Sequence, residues 1–166
     1  MSAPGLSSDQ RLFHFALRLG DDRLILGHRL SEWCGHAHSI EEDLALANIA
    51  LDCLGQAANF LKLAGQLEGR GRTEDDLAYF REAVEFENAR MVEQPNGDFA
   101  YTILRLFIYS VYAGLLYAEI SRAMNSSLAA IAAKAGKEVA YHLRHSREWT
   151  LRLGQGTEES HRRAQD

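Results

Sequence analysis

Two parallel apolar rows at helical spacing run through residues 40–67, and no other feature narrows the fold of this chain as far. One row is Ile40, Leu44, Ala47, Leu51, Leu54, Ala58 and Leu61; the other is Ile49, Cys53, Gln56, Phe60, Leu63 and Leu67. Steps of three and four return side chains to one side of an α-helix, whereas a strand would alternate in twos. Two adjacent rows predict a long helix buried over a wide arc, as inside a bundle. Asn48, Asp52, Gly55 and Asn59 form a separate polar row. Ser39 and Glu42 have the spacing of a capping box at the helix start.

The rest of the chain repeats this pattern. A first helix is predicted from Asp9 to Cys34, ahead of a corner between Gly35 and Ser39. Gly69, Gly71 and Thr73 end the second helix, and a shorter one is expected from Glu74 to Val92. Pro95-Asn96-Gly97-Asp98 is turn chemistry, with Asp98 placed to cap a helix running to Met124. Asn125-Ser126-Ser127 separates it from a last helix, Leu128 to Leu153, with an inner seam of Leu128, Ala132, Ala135, Val139, His142, Ser146, Trp149 and Leu153. Only Pro4 and Pro95 interrupt the chain, so helix interiors are free of breakers. Four long helices, each about 40 Å, fall into two antiparallel hairpins. A long crossover holding a short helix joins them. The expectation is an all-α, ferritin-like up-down-down-up bundle. It occupies residues 9–156, after a disordered leader over 1–8 and before a polar tail over 157–166, read as the stub of a missing C-terminal segment.

The formal charge of −5 comes with acids and bases interspersed and no basic run, which argues against nucleic acid as a partner. Cys34 and Cys53 do not form a spaced metal motif and read as reduced thiols. The first residues lack the apolar core of a signal peptide, and no uncharged apolar stretch is long enough to span a membrane. A cytoplasmic location is therefore expected.

A di-iron bundle needs Glu-x-x-His pairs, because residues three apart share a helix face and can reach one metal. The one match, Glu158 and His161, lies in the polar tail outside any seam. On the inner rows the second helix offers Cys53 and Gln56, and the last helix Val139 and His142. Glu138 stands about 100° around the helix from Val139. An oxygen-rich iron site cannot be built from that set. His142 is read as a core histidine bonded across the bundle, with Glu32 as its expected partner. His28, Glu32 and His36, spaced by four, offer a second reading: an autonomous metalloprotein or metalloenzyme using those residues with His142. No phosphate cradle or nucleophile motif appears. The aromatics Phe99, Tyr101, Phe107, Tyr109, Tyr112 and Tyr117 share the third long helix, as core or as a partner interface.

Three blocks carry a resemblance: LGDDRLILGHRLSEWCGHAHSIEEDLALANIALDCLGQAANFL from Leu19 to Leu61, VEQPNGDFAYTILR from Val92 to Arg105, and KEVAYHLRHSREWTLRLGQGT from Lys137 to Thr157. In order and length they resemble the structural-subunit family of the bacterial ring-1,2-phenylacetyl-CoA epoxidases, multicomponent di-iron monooxygenases of aerobic phenylacetate degradation. The resemblance implies a ferritin-like, non-catalytic subunit that pairs with and supports a catalytic di-iron subunit. It also implies that the di-iron centre, FAD, iron–sulfur cluster and NADPH of the complex belong to other subunits, with no catalytic residue and no cofactor on this chain. By resemblance to the catalytic paralogue, its second-helix Glu and His fall on Cys53 and Gln56, and its last-helix Glu and His on Val139 and His142. Self-association of the isolated chain is a further expectation.

Overall fold

The computed structural model describes residues 7–165, and every described element is helical. Helix α1 spans Ser8–Ser31, and Ser7 and Gln10 close its start with reciprocal bonds of 3.2 and 2.8 Å. Helix α2 spans Ile40–Glu68 and ends at Gly69, whose φ of 70° suits a residue without a Cβ. After it come α3 (Glu74–Tyr79), a 3-10 turn (Ala83–Glu85) and α4 (Arg90–Glu93). Helices α5 (Phe99–Ile120) and α6 (Ser126–Gln155) complete the long set, and α7 (Glu158–Arg163) follows. Asp98 and Asn125 cap α5 and α6 by accepting from backbone N–H groups at 2.9 Å each.

Glycine sets how closely α1 approaches α2. A Cβ on Gly20 would lie 2.6 Å from Leu61 Cδ2, and one on Gly27 would lie 3.1 Å from Leu54 Cδ2. The pairing of residue 20 with 61 and 27 with 54 makes the two helices antiparallel. Helix α5 packs on α6, and α2 meets α6 across the bundle. Helix α1 and the corner after it reach α5 through long side chains: Trp33 Nε1 donates to Thr102 Oγ1 at 3.1 Å, and Tyr109 Oη to Asp22 at 3.0 Å. The core between them holds Leu26, Leu46, Ile49, Phe60, Leu106 and Val139, each with 0% exposure. Edge-to-face rings close one end: Phe99 and Trp149 at 5.1 Å, with His38 4.7 Å from Phe99. By length and composition alone α2 and α5 could cross a membrane; here their inner faces pack against the other helices.

Several expectations are corrected. The leader assigned to residues 1–8 lies outside the described residues up to residue 6, and helix begins at Ser8. Helix α1 stops at Ser31, not Cys34, and α5 stops at Ile120, not Met124. The polar tail carries a short helix, which Arg163 ties to Asp98 at 3.2 Å. Ser39 caps α2 at 3.3 Å, while Glu42 turns to His145 at 3.3 Å.

The two apolar rows of α2 are not equally buried, although Leu61 of the first row is a core residue. Ile49, Cys53, Gln56 and Phe60 face the core, whereas Ile40, Leu44 and Leu51 are 72%, 58% and 65% exposed. Helical spacing fixes that residues share a face, not which face turns inward.

The crossover is not one helix from Glu74 to Val92. Two carboxylates of α1 hold it extended. Asp21 pairs with the Arg81 guanidinium and accepts from Glu87 N–H at 2.9 Å, and Asp22 accepts from Ala89 N–H at 2.7 Å. Those N–H groups are spent on α1 and cannot continue a helix.

Candidate functional site

All four long helices send polar side chains into one seam at the middle of the bundle. Its centre is Arg23 of α1, an always-charged guanidinium with 0% exposure. Arg23 belongs to the inner row of α1, in register with Ala16, Leu19, Leu26 and Leu30, all buried. Its Nε donates to Tyr117 Oη at 2.9 Å, and its Nη1 lies 3.9 Å from Cys53 Sγ. The guanidinium sits over the rings of Tyr109 and Tyr117, 4.8 and 5.2 Å from their centroids. No carboxylate hydrogen-bonds to it among the described residues. Asp22, its neighbour in sequence, spends its oxygens on Ala89 and Tyr109 instead.

Two rungs join α2 to α6. Gln56 Nε2 donates to Glu138 at 2.7 Å, and His142 Nε2 meets Asp52 at 3.0 Å. Residues 52 and 56 match 142 and 138 in reverse order, so these helices are antiparallel. Burial pushes His142 down to about 4, and the nearby Arg23 charge acts the same way, against the pull of Asp52. The imidazole is therefore neutral near pH 7 and donates from Nε2. Burial also raises the Cys53 thiol and the phenols of Tyr109 and Tyr117, so these three stay protonated despite the cation beside them. Arg23 Nη2, Gln56 Oε1, His142 Nδ1 and Ser110 Oγ are buried without a protein partner.

The residues singled out from sequence are only partly brought together. Cys53, Gln56, Val139 and His142 are all buried on facing inner rows. Glu32 does not reach His142. It bonds to Arg29 at 2.8 Å and Asn96 at 3.0 Å at the end of α1, and Asp52 is the partner of His142. Asp52 stands in the polar row of α2, and Glu138 is out of register with the inner row of α6; both side chains reach the seam from its edge. The His28–Glu32–His36 row is broken because α1 ends at Ser31, and His36 bonds the Cys34 carbonyl in the corner. Glu158 and His161 lie on α7, where His161 bonds the Gly154 carbonyl at 2.7 Å. Among the described residues no three His, Cys, Asp or Glu side chains are grouped to hold a metal ion.

Arg23, Asp52 and Glu138 are seam residues that sequence reasoning misses as partners. A signal for Arg23 is present: a charged residue at an inner position of α1, in the run Asp21-Asp22-Arg23 between buried leucines.

The family described as phenylacetic acid catabolic protein matches residues 3–166. This chain belongs to that family. It is 51% identical over 155 residues to one of the subunits of the 1,2-phenylacetyl-CoA epoxidase of Escherichia coli (strain K12). The match covers 93% of this chain and 62% of that protein, so the chain spans less than two thirds of the length of its relative.

The seam does not fit a di-iron centre. The positions equivalent by resemblance to ligands hold Val139, which has no donor, and Cys53, whose thiol faces a guanidinium. A metal dication there would meet the permanent charge of buried Arg23, and like charges repel strongly away from bulk water.

Proposed function

We propose that the chain is a non-catalytic structural subunit of a phenylacetyl-CoA ring 1,2-epoxidase complex in phenylacetate degradation. The 51% identity to a subunit of such an epoxidase carries this reading. Its non-catalytic side is supported by the seam, whose donor set suits a hydrogen-bonded core better than an iron site. The ferritin-like arrangement is supported by the antiparallel pairs α1 with α2 and α2 with α6, and by the long crossover between α2 and α5. On this reading the iron, flavin, iron–sulfur and NADPH chemistry resides in other subunits, in the cytoplasm.

The partner is the catalytic di-iron subunit, and the chain offers it apolar surface. Besides the outer row of α2, helix α5 exposes Tyr101, Ile108, Tyr112 and Leu115 along one side, at 45%, 54%, 50% and 69%. These residues replace an interface through Phe107, Tyr109, Tyr112 and Tyr117, because Tyr109 and Tyr117 are core residues at 2% each. Contiguous exposed apolar side chains mark association sites. Co-expression with the catalytic subunit of the same organism tests the assignment. The two chains are expected to co-elute through size exclusion. Separate elution at every ionic strength overturns it.

A further inference from the structure

We infer that the Arg23 guanidinium takes the place of the metal cation in this bundle, tying helix α1 to α2 and α5 and barring a metal ion from the seam. The inference rests on the reading of the chain as a ferritin-like, non-catalytic subunit and explains how its seam is kept from iron.

A di-iron bundle gathers carboxylates and imidazoles from four helices around a central positive charge. Here a central positive charge on α1 is met from α2 and α5. Arg23 comes from α1, and Cys53 of α2 lies at 3.9 Å. Tyr117 Oη of α5 accepts a hydrogen bond from its Nε at 2.9 Å, and Tyr109 of α5 presents its ring face at 4.8 Å. The ligands have changed to suit the new cation. Phenol oxygen, π-face and thiol serve a diffuse guanidinium, whereas iron calls for carboxylate and imidazole.

The remaining polar groups of the seam also suit this exchange. Asp52 and Glu138 could contribute to a metal site, but each is engaged in a rung between α2 and α6. Without a carboxylate bonded to it among the described residues, the guanidinium stacks on both tyrosines. An ion entering between the rungs would have to displace both bonds and sit against a buried cation.

The test restores ligands with and without the cation. Gln56→His places a second imidazole beside His142, Asp52 and Glu138. Cobalt(II) alone is the probe, read by its visible ligand-field bands and by equilibrium dialysis of the full chain, with circular dichroism to check the fold. Gln56→His with Arg23 intact is expected to take up cobalt no better than the parent chain. Gln56→His combined with Arg23→Leu is expected to bind it at least tenfold more tightly. Equal binding with and without Arg23 overturns the inference, and so does binding in neither. If Arg23→Leu unfolds the chain, Arg23→Gln is used in the same comparison. If both neutral variants unfold while Arg23→Lys folds, the cation itself ties the helices, as inferred. If Arg23→Lys unfolds as well, the comparison of Gln56→His with the parent chain decides: tighter cobalt binding with Arg23 intact overturns the inference, and no gain supports it. Metal uptake is measured on the chain alone, so its outcome is separate from co-elution with a partner.

Discussion

His142 shows how one buried side chain couples the seam to pH. Its pKa falls from 6.5 to about 4 in the folded chain, chiefly through burial. The unfolded chain therefore takes up this proton first as the solution is acidified. Stability from neutral His142 is full above about pH 6.5 and is lost as pH falls toward 4. The loss is on the order of 2–3 kcal/mol. Chemical denaturation between pH 7 and 4 should show a steeper fall in the parent chain than in His142→Gln, which keeps a donor for Asp52. Equal slopes would mean that His142 is protonated in the native state. Asp21 makes a second prediction at this scale. Its side chain is 0% exposed and that of Arg81 2% exposed, so Asp21→Ala leaves a buried guanidinium unpaired. The expected loss is about 3–5 kcal/mol, and Asp21→Ala with Arg81→Met should recover much of it. Urea midpoints of the single and double variants decide this. The core position of His142 is legible in its row, but neither its partner nor the Asp21–Arg81 pair is, because a polar group inside a helical row does not name the group it meets on another helix.

Helices are the scale at which sequence and structure agree best. Ser39, Asp98 and Asn125 cap α2, α5 and α6, as local hydrogen bonding at a helix start requires. The α6 row from Leu128 through Ser146 is buried, with Trp149 and Leu153 partly so. Its phase is readable because polar residues fill the other faces. On α2 the phase is ambiguous, since both rows are apolar and only packing on α1 and α6 selects one. The crossover departs from its expected helix for a related reason. Its residues can form a helix, but Asp21 and Asp22 claim their N–H groups from a distance in sequence that no local pattern encodes. Two glycines of α2 test the packing. A Cβ on Gly55 meets nothing within 4 Å, so Gly55→Ala should stabilise by about 0.5–1 kcal/mol through helix propensity. A Cβ on Gly65 would collide with the Arg72 carbonyl oxygen, a backbone atom that cannot rotate away. Gly65→Ala should cost about 1–3 kcal/mol despite the same gain in propensity. Thermal melts of the pair should move in opposite directions; a rise in both would show that the α2–α3 turn yields easily.

At the scale of the whole molecule, exposed apolar rows on α2 and α5 separate folding from association. Leu51→Glu and Leu115→Glu alter side chains that are 65% and 69% exposed, so each should change monomer stability by no more than about 0.5 kcal/mol. At least one should weaken co-elution with the catalytic subunit tenfold or more. Unchanged complex formation in both would place the interface elsewhere on the bundle. The sequence by itself determined that the chain is helical, where its long helices start, and, through three ordered blocks, which family it belongs to. Those properties follow from hydrogen bonds within a few residues and from repeated spacing, which the order of residues records directly. Tertiary structure decided which parts of the α2 rows are exposed, which carboxylate meets His142, and which groups of α2 and α5 Arg23 meets. These depend on groups that come together only after the helices pack, when a buried charge must find its partners on other elements.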